Sequence, residues 1–329
     1  MWVWALGWEN SNCKAMNLSQ LFLIGLPSDN DSSFARQFDP AGVILMGRNA
    51  RPALQIRALC DGLPGMIVAS DHEGGRVQRL KDGFAILPTA REVGQGGAQH
   101  VLDVARRVAG ELSEAGINFN FAPVCDVPTH EGDTVIGARA FSLDFAEAGE
   151  LAAAYIKGLQ GQVGACAKHF PGHGGVGVDS HLGLPVFDGS REELEPHLLP
   201  FRAAIKAGVA AMMVAHLSVP CLDDTFAPAS LSKPLITEVL REELGFAGLV
   251  VSDDLEMGAL DHLGAGEIAV QALQAGCDLL LFCHTKDKAM RARDAIESAL
   301  ENGRLESKRV EAALERVAQF KTRFCSVHQ

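Results

Sequence analysis

One plan repeats eight times after residue 17: a short run of Val, Ile, Leu and Phe, a polar or glycine-rich loop, then an amphipathic helix. The strand-like runs are 21–26, 43–46, 66–69, 118–122, 165–168, 211–215, 249–252 and 279–283. Several are apolar without alternation, as strands covered on both faces are. Between them Val101, Ala105, Val108 and Leu112 fall at steps of 4, 3 and 4, one face of a helix. Leu151, Tyr155 and Leu159 do the same, as do Val310, Leu314 and Val317. Ser190 with Glu193, and Ser232-Lys-Pro234, read as helix starts. Eight strand–helix alternations predict an α/β fold, a single (β/α)8 TIM-type barrel. A doubly wound open sheet would need a phosphate fingerprint after its first strand, and none follows residue 26.

The 329 residues allow two domains by length, but no Pro/Ser-rich linker divides them. Residues 17–329 are therefore read as one catalytic barrel domain. Residues 1–16 hold all three tryptophans, with no basic residue ahead of the apolar stretch. They are read as an N-terminal extension, either a helix capping the fold or, the favoured alternative, residues upstream of a true start at Met16, and not as a secretory signal.

The charge of −12 excludes a phosphate backbone as principal ligand, since that needs clustered Lys and Arg. The longest apolar stretch, 208–219, is interrupted by His216 and falls short of the ~20 residues that span a bilayer. Neither nucleic acid nor membrane is expected as a partner. The eight cysteines are scattered, with no Cys-x-x-Cys pair, which argues against a zinc site or a disulfide framework. Reduced thiols in a cytoplasmic protein are the expectation, with no cofactor and no metal.

Catalytic groups of such a barrel follow the carboxyl ends of the strands. Those places hold residues 70–79, Asp126, Arg139, residues 168–181, His216, residues 252–256 and His284. The opposite loops, 161–164 and 245–248, carry almost no such groups. That asymmetry marks one end as an active site. The match of 172–177 to G-x-G-x-x-G is discounted, because a proline precedes it and no helix follows. The glycines there are read instead as a mobile loop.

Asp179 and His181 project to one side of an extended segment, so the carboxylate can orient the imidazole for acid/base work. Asp253 and Asp254 end an apolar strand, where a carboxylate is costly without partners or a task. Spacing alone leaves open which of them faces the barrel mouth, and a helix cap would explain one of the two. Asp71, Arg79, Arg139, Lys168 and His169 either bind a ligand or form a structural ion-pair network. Glu73, Arg76, Asp126, His216 and His284 are given supporting places around them.

In order, these motifs resemble glycoside hydrolase family 3, and within it the bacterial β-N-acetylglucosaminidase branch. The matching segments are Asp71-His-Glu-Gly-Gly-Arg-Val-Gln-Arg79, Phe121-Ala-Pro-Val, Gly137-Ala-Arg-Ala-Phe141, Lys168-His-Phe-Pro-Gly-His-Gly174, Asp179-Ser-His181 and Ser252-Asp-Asp-Leu-Glu-Met257. The resemblance implies Asp253 as nucleophile, His181 held by Asp179 as general acid/base, and Asp71, Arg79, Arg139, Lys168 and His169 as binders of N-acetylglucosamine. It further implies a monomer acting on a small carbohydrate, an N-acetylglucosamine-containing muropeptide. His72 stands where this family usually has Gln, and Ala140 where it usually has Ser.

Trp and Tyr total four, and three of them precede residue 9, so a long aromatic polysaccharide groove is not expected. An exo-acting pocket for one terminal sugar is. Two rival readings are a metal-dependent barrel hydrolase using His169, His173, His216 and an Asp of the 253/254 pair, and a non-catalytic sugar-binding barrel.

Overall fold

Within the eight apolar runs, side chains alternate between two separate buried clusters. Leu23, Ile44, Ala69, Phe119, Cys166, Met213, Val251 and Leu281 share one, while Ile24, Val43, Val68, Ala167, Met212, Val250 and Leu280 belong to the other. A two-residue period with both faces buried is the pattern of a parallel sheet covered on both sides, and the ladders close it on itself. The computed structural model, which describes residues 16–129, 133–176 and 183–325, has that form.

Its strands are β1 (Phe22–Gly25), β2 (Gly42–Leu45), β3 (Ile67–Ser70), the hairpin pair β4 (His72–Gly74) and β5 (Val77–Gln78), β6 (Phe119–Asn120), β7 (Gly164–Phe170), β8 (Ala211–Val214), β9 (Leu249–Asp254) and β10 (Leu279–Phe282). The barrel closes in the order β1-β10-β9-β8-β7-β6-β3-β2, and every ladder is parallel. The chain is a single (β/α)8 TIM-type barrel, as the sequence predicts.

The last helix, Ser307–Phe324, closes the amino-terminal end. Its Phe320 ring lies 4.5 Å from that of Phe119, which in turn meets Phe121 edge-on at 5.0 Å. Polar groups therefore gather at the opposite end, beyond the strand carboxyl termini.

The expected helix faces are buried, and Ser190 with Glu193 forms a capping box. Ser232 Oγ accepts the Leu235 N–H at 3.3 Å ahead of a π-helical segment, Pro234–Glu243. Among the described residues no helix is long and apolar enough to cross a membrane.

Three local features differ from the sequence expectation. β9 runs on through Asp253 and Asp254, because ladder bonds belong to the backbone and persist where apolarity stops. Residues 70–79, read as a loop, contain the β4–β5 hairpin, turned by Gly74 and Gly75 at φ +110° and +53°. The glycine at 174 meets a close approach that the sequence did not show, since a Cβ there would lie 2.0 Å from the Val127 carbonyl oxygen, while residues 177–182 of the loop read as mobile lie outside the described residues.

His72, on β4, is buried with its ring 5.7 Å from that of Phe84 and its Nδ1 without a hydrogen-bond partner. Burial pushes the imidazole down from its ordinary 6.5 to about 4. A depressed histidine favours the neutral form when folded, so its contribution is intact above pH 6.5 and is lost as pH falls toward 4. At pH 5 the loss is about 2 kcal/mol. Replacing His72 by Gln is therefore expected to shrink the drop in unfolding free energy between pH 7 and pH 5 by that amount. Equal drops in the two proteins, measured by denaturant titration, would exclude His72 as the cause.

Candidate active site

Alternation brings the first carboxylates together. Asp71 and Glu73 are two apart on the extended approach to the hairpin, so both reach Lys168 from β7. Lys168 Nζ lies 2.7 Å from Asp71 Oδ1 and 2.6 Å from Glu73 Oε1. The Arg139 guanidinium, from the turn Gly137–Arg139, forks onto both Glu73 oxygens at 2.8 Å. Burial alone would raise the Glu73 carboxyl, but Lys168 and Arg139 hold it well below the usual carboxylate range. Burial would likewise lower Lys168, and Asp71 with Glu73 raises it instead. Lys168 and Arg139 thus stay charged although both are nearly out of water.

The network leaves one guanidinium loosely held. Arg79 approaches Asp71 Oδ2 only at 3.8 Å, and its Nε is buried without a hydrogen-bond partner. Asp71 and Arg79 both line the cavity. The ion-pair network allowed by the sequence is present around Lys168, and Arg139, Lys168 and His169 line the cavity as well.

The adjacent carboxylates on β9 have opposite fates. Asp253 accepts the Asp254 N–H at 2.8 Å and lines the cavity. Burial would raise its carboxyl, but the fields of His169, His216 and Lys168, with the Asp254 N–H, hold it below the ordinary value. Asp254 caps a turn: it accepts the N–H of Glu256 at 3.1 Å and of Cys283 at 3.3 Å, and meets His284 Nε2 at 3.2 Å. Burial, joined by repulsion from Glu256, raises it. Neighbouring acids pushed apart in this way take different roles, and Asp253 is the one kept as an anion.

The cavity at this end measures about 530 Å³, within the ~300–1,000 Å³ of small-molecule sites. Ile44, Phe121, Met213 and Leu281 make its apolar floor, and Asp71, Arg79, Arg139, Lys168, His169 and Asp253 line its wall. All five sequence-derived binding residues and Asp253 therefore meet in one place. Asp179 and His181 lie outside the described residues. Of the residues given supporting places, Glu73 and Asp126 sit beneath the wall, while Arg76 and His284 line it. Glu73 was legible by the two-residue alternation that joins it to Asp71.

The metal-dependent rival needed His216 as a ligand. Both its ring nitrogens are engaged, Nδ1 with Ser230 Oγ at 2.7 Å and Nε2 with the Asp254 carbonyl at 2.9 Å. Among the described residues, no three His, Cys, Asp or Glu side chains form a group able to hold a metal ion.

Residues 20–320 match the glycosyl hydrolase family 3 N terminal domain. The chain belongs to glycosyl hydrolase family 3. Its relatives include a protein named β-hexosaminidase from Methylobacillus flagellatus, 40% identical over 263 residues, covering 75% of this chain and 74% of that one. A β-hexosaminidase from Neisseria meningitidis is 41% identical over 277 residues, or 79% and 76% of the two chains. A solved family 3 β-N-acetylglucosaminidase from Paenibacillus superposes with a TM-score of 0.90 at 36% identity. That match covers 93% of this chain but 62% of the other, so this family 3 chain spans about three fifths of that longer protein. A family 3 glycosyl hydrolase from Mycobacterium smegmatis gives a TM-score of 0.84 at 33% identity, over 92% and 96% of the two. The chain is accordingly a glycoside hydrolase.

Proposed function

We propose that the chain is a retaining, exo-acting β-N-acetylglucosaminidase. The observation that carries this reading is Asp253, held as an anion, lining one pocket with Asp71, Arg79, Arg139, Lys168 and His169. Its relatives named β-hexosaminidase support the substrate class.

In the proposed reaction an Asp253 oxygen attacks the anomeric carbon as the bond to the leaving oxygen breaks. His181, oriented by Asp179, protonates that oxygen. His181 then takes a proton from water, whose oxygen attacks the same carbon and releases Asp253. Two inversions leave a β product. Histidine begins near ~6.5 and needs little tuning to donate at neutral pH, unlike a carboxylic acid. Asp71, Arg79, Arg139, Lys168 and His169 would hold the N-acetylglucosamine hydroxyls and acetamide.

Phe121 is the one phenyl or indole ring lining the cavity among the described residues, which supports a single-sugar pocket over an aromatic groove. The proposed substrate is N-acetylglucosamine linked to 1,6-anhydro-N-acetylmuramic acid, from recycled cell-wall muropeptides, acted on by a cytoplasmic monomer. Buried, unpaired thiols at Cys60, Cys125, Cys166, Cys277 and Cys283 fit a reducing compartment.

Trapping the glycosyl-enzyme with a 2-acetamido-fluorosugar tests the reading. Mass spectrometry of peptides is expected to find the sugar on Asp253. A label on another residue, or hydrolysis with inversion seen by proton NMR, would overturn it.

A further inference from the structure

One carboxylate outside the cavity wall holds two parts of the site at once. Asp126 follows β6 on the segment 123–126, and its side chain is wholly shielded from water. Its oxygens accept the His169 backbone N–H at 3.1 and 3.2 Å, the His173 backbone N–H at 2.7 Å, and the His169 ring Nδ1–H at 2.6 Å. The His173 ring makes no hydrogen bond among the described residues, so that residue is held by its backbone N–H.

An ionised carboxylate only accepts. Burial raises the Asp126 carboxyl, yet the His169 ring and these N–H donors bring it below its ordinary value. Nδ1 of His169 must therefore carry the proton, and Nε2 is the polar atom the ring offers to the cavity it lines.

We infer that Asp126 is a positioning residue for the hydrolysis, fixing the tautomer of His169 so that Nε2 accepts a hydroxyl of the bound sugar. The inference rests on the glycosidase reading above and extends it to a residue that touches no substrate. An amide at 126 would face Nδ1 with an N–H, reverse the tautomer, and leave Nε2–H opposing the hydroxyl proton. Its oxygen can still accept the His173 N–H.

The test is Asp126→Asn in the full chain, assayed with 4-nitrophenyl N-acetyl-β-D-glucosaminide. A fall of roughly 10²-fold in kcat/KM is expected. In a His169→Ala background the same change is expected to cost no more than about 3-fold, because its route is already gone. Equal losses in both backgrounds would make Asp126 merely structural. Nitrogen-15 NMR of the histidine rings reads the tautomer without activity, with His169→Ala assigning the signal. Wild-type protein should show a proton on Nδ1 of His169, and Asp126→Asn should move it to Nε2. A bare Nδ1 in the wild type overturns the inference, even if Asp126→Asn does not fold. Loss of the glycosidase reading alone, with no hexosaminide cleaved by the wild type, leaves this NMR result as the decisive measurement.

Discussion

Asp253→Asn is expected to lower kcat/KM for 4-nitrophenyl N-acetyl-β-D-glucosaminide by about 10⁴-fold or more, with the barrel intact. The magnitude follows from the role: without a nucleophile no glycosyl-enzyme forms, and 10⁴ in rate corresponds to about 5.4 kcal/mol of transition-state stabilisation. The fold should scarcely notice. The asparagine oxygen can still accept the Asp254 N–H that Asp253 takes at 2.8 Å, and a buried anion is removed. Lys168, whose charge helps hold Asp253 as an anion, loses one attractive partner but keeps Asp71 and Glu73. Thermal midpoints within a few degrees of the wild type are expected beside the lost activity. A variant keeping more than a hundredth of the wild-type rate would remove Asp253 from the reaction. A variant that unfolds would show that the carboxylate is structural, a result that Asp253→Ala would repeat.

The barrel was legible because its strands are buried on both faces. Leu23 and Ile24, or Met212 and Met213, are apolar in succession since one points into the barrel and the other toward the helices. Where that condition fails, so does the pattern. Asp253 and Asp254 lie within β9 though the apolar signal ends before them, and the β4–β5 hairpin is built from polar residues and glycine. The site was legible in its members and not in its wiring. The five cavity-lining residues and the Asp253/Asp254 pair were found because strand carboxyl ends converge in any such barrel, whereas the choice of Asp253 came from the family resemblance. Contacts at long separation leave no periodic trace: Asp126 meets His169 across 43 residues and Glu73 meets Arg139 across 66. Asp126 and Glu73 were accordingly placed only as supports, though they hydrogen-bond or pair with His169, Arg139 and Lys168 of the cavity wall.

His181→Ala is expected to show a loss that depends on the leaving group. A general acid matters in proportion to the charge that develops on the departing oxygen. A 4-nitrophenolate is stable unprotonated, whereas a sugar alkoxide is not. With the aryl glycoside the first step should survive, and the loss should fall on the second, where His181 would activate water. The glycosyl-enzyme should then accumulate, giving a burst of nitrophenol and a low KM. With a disaccharide substrate the first step itself should fail, and kcat/KM should drop by a further ~10²–10⁴-fold beyond the aryl loss, the usual worth of general acid catalysis. Azide, which attacks without giving up a proton, should restore turnover of the aryl glycoside and yield a β-glycosyl azide. Asp179→Asn should reproduce the same pattern more weakly, since the imidazole remains but loses the group that orients it. Equal losses for aryl and sugar leaving groups, with no azide product, would assign the proton to another residue. Asp254, the raised carboxyl beside the nucleophile, would be the first to examine.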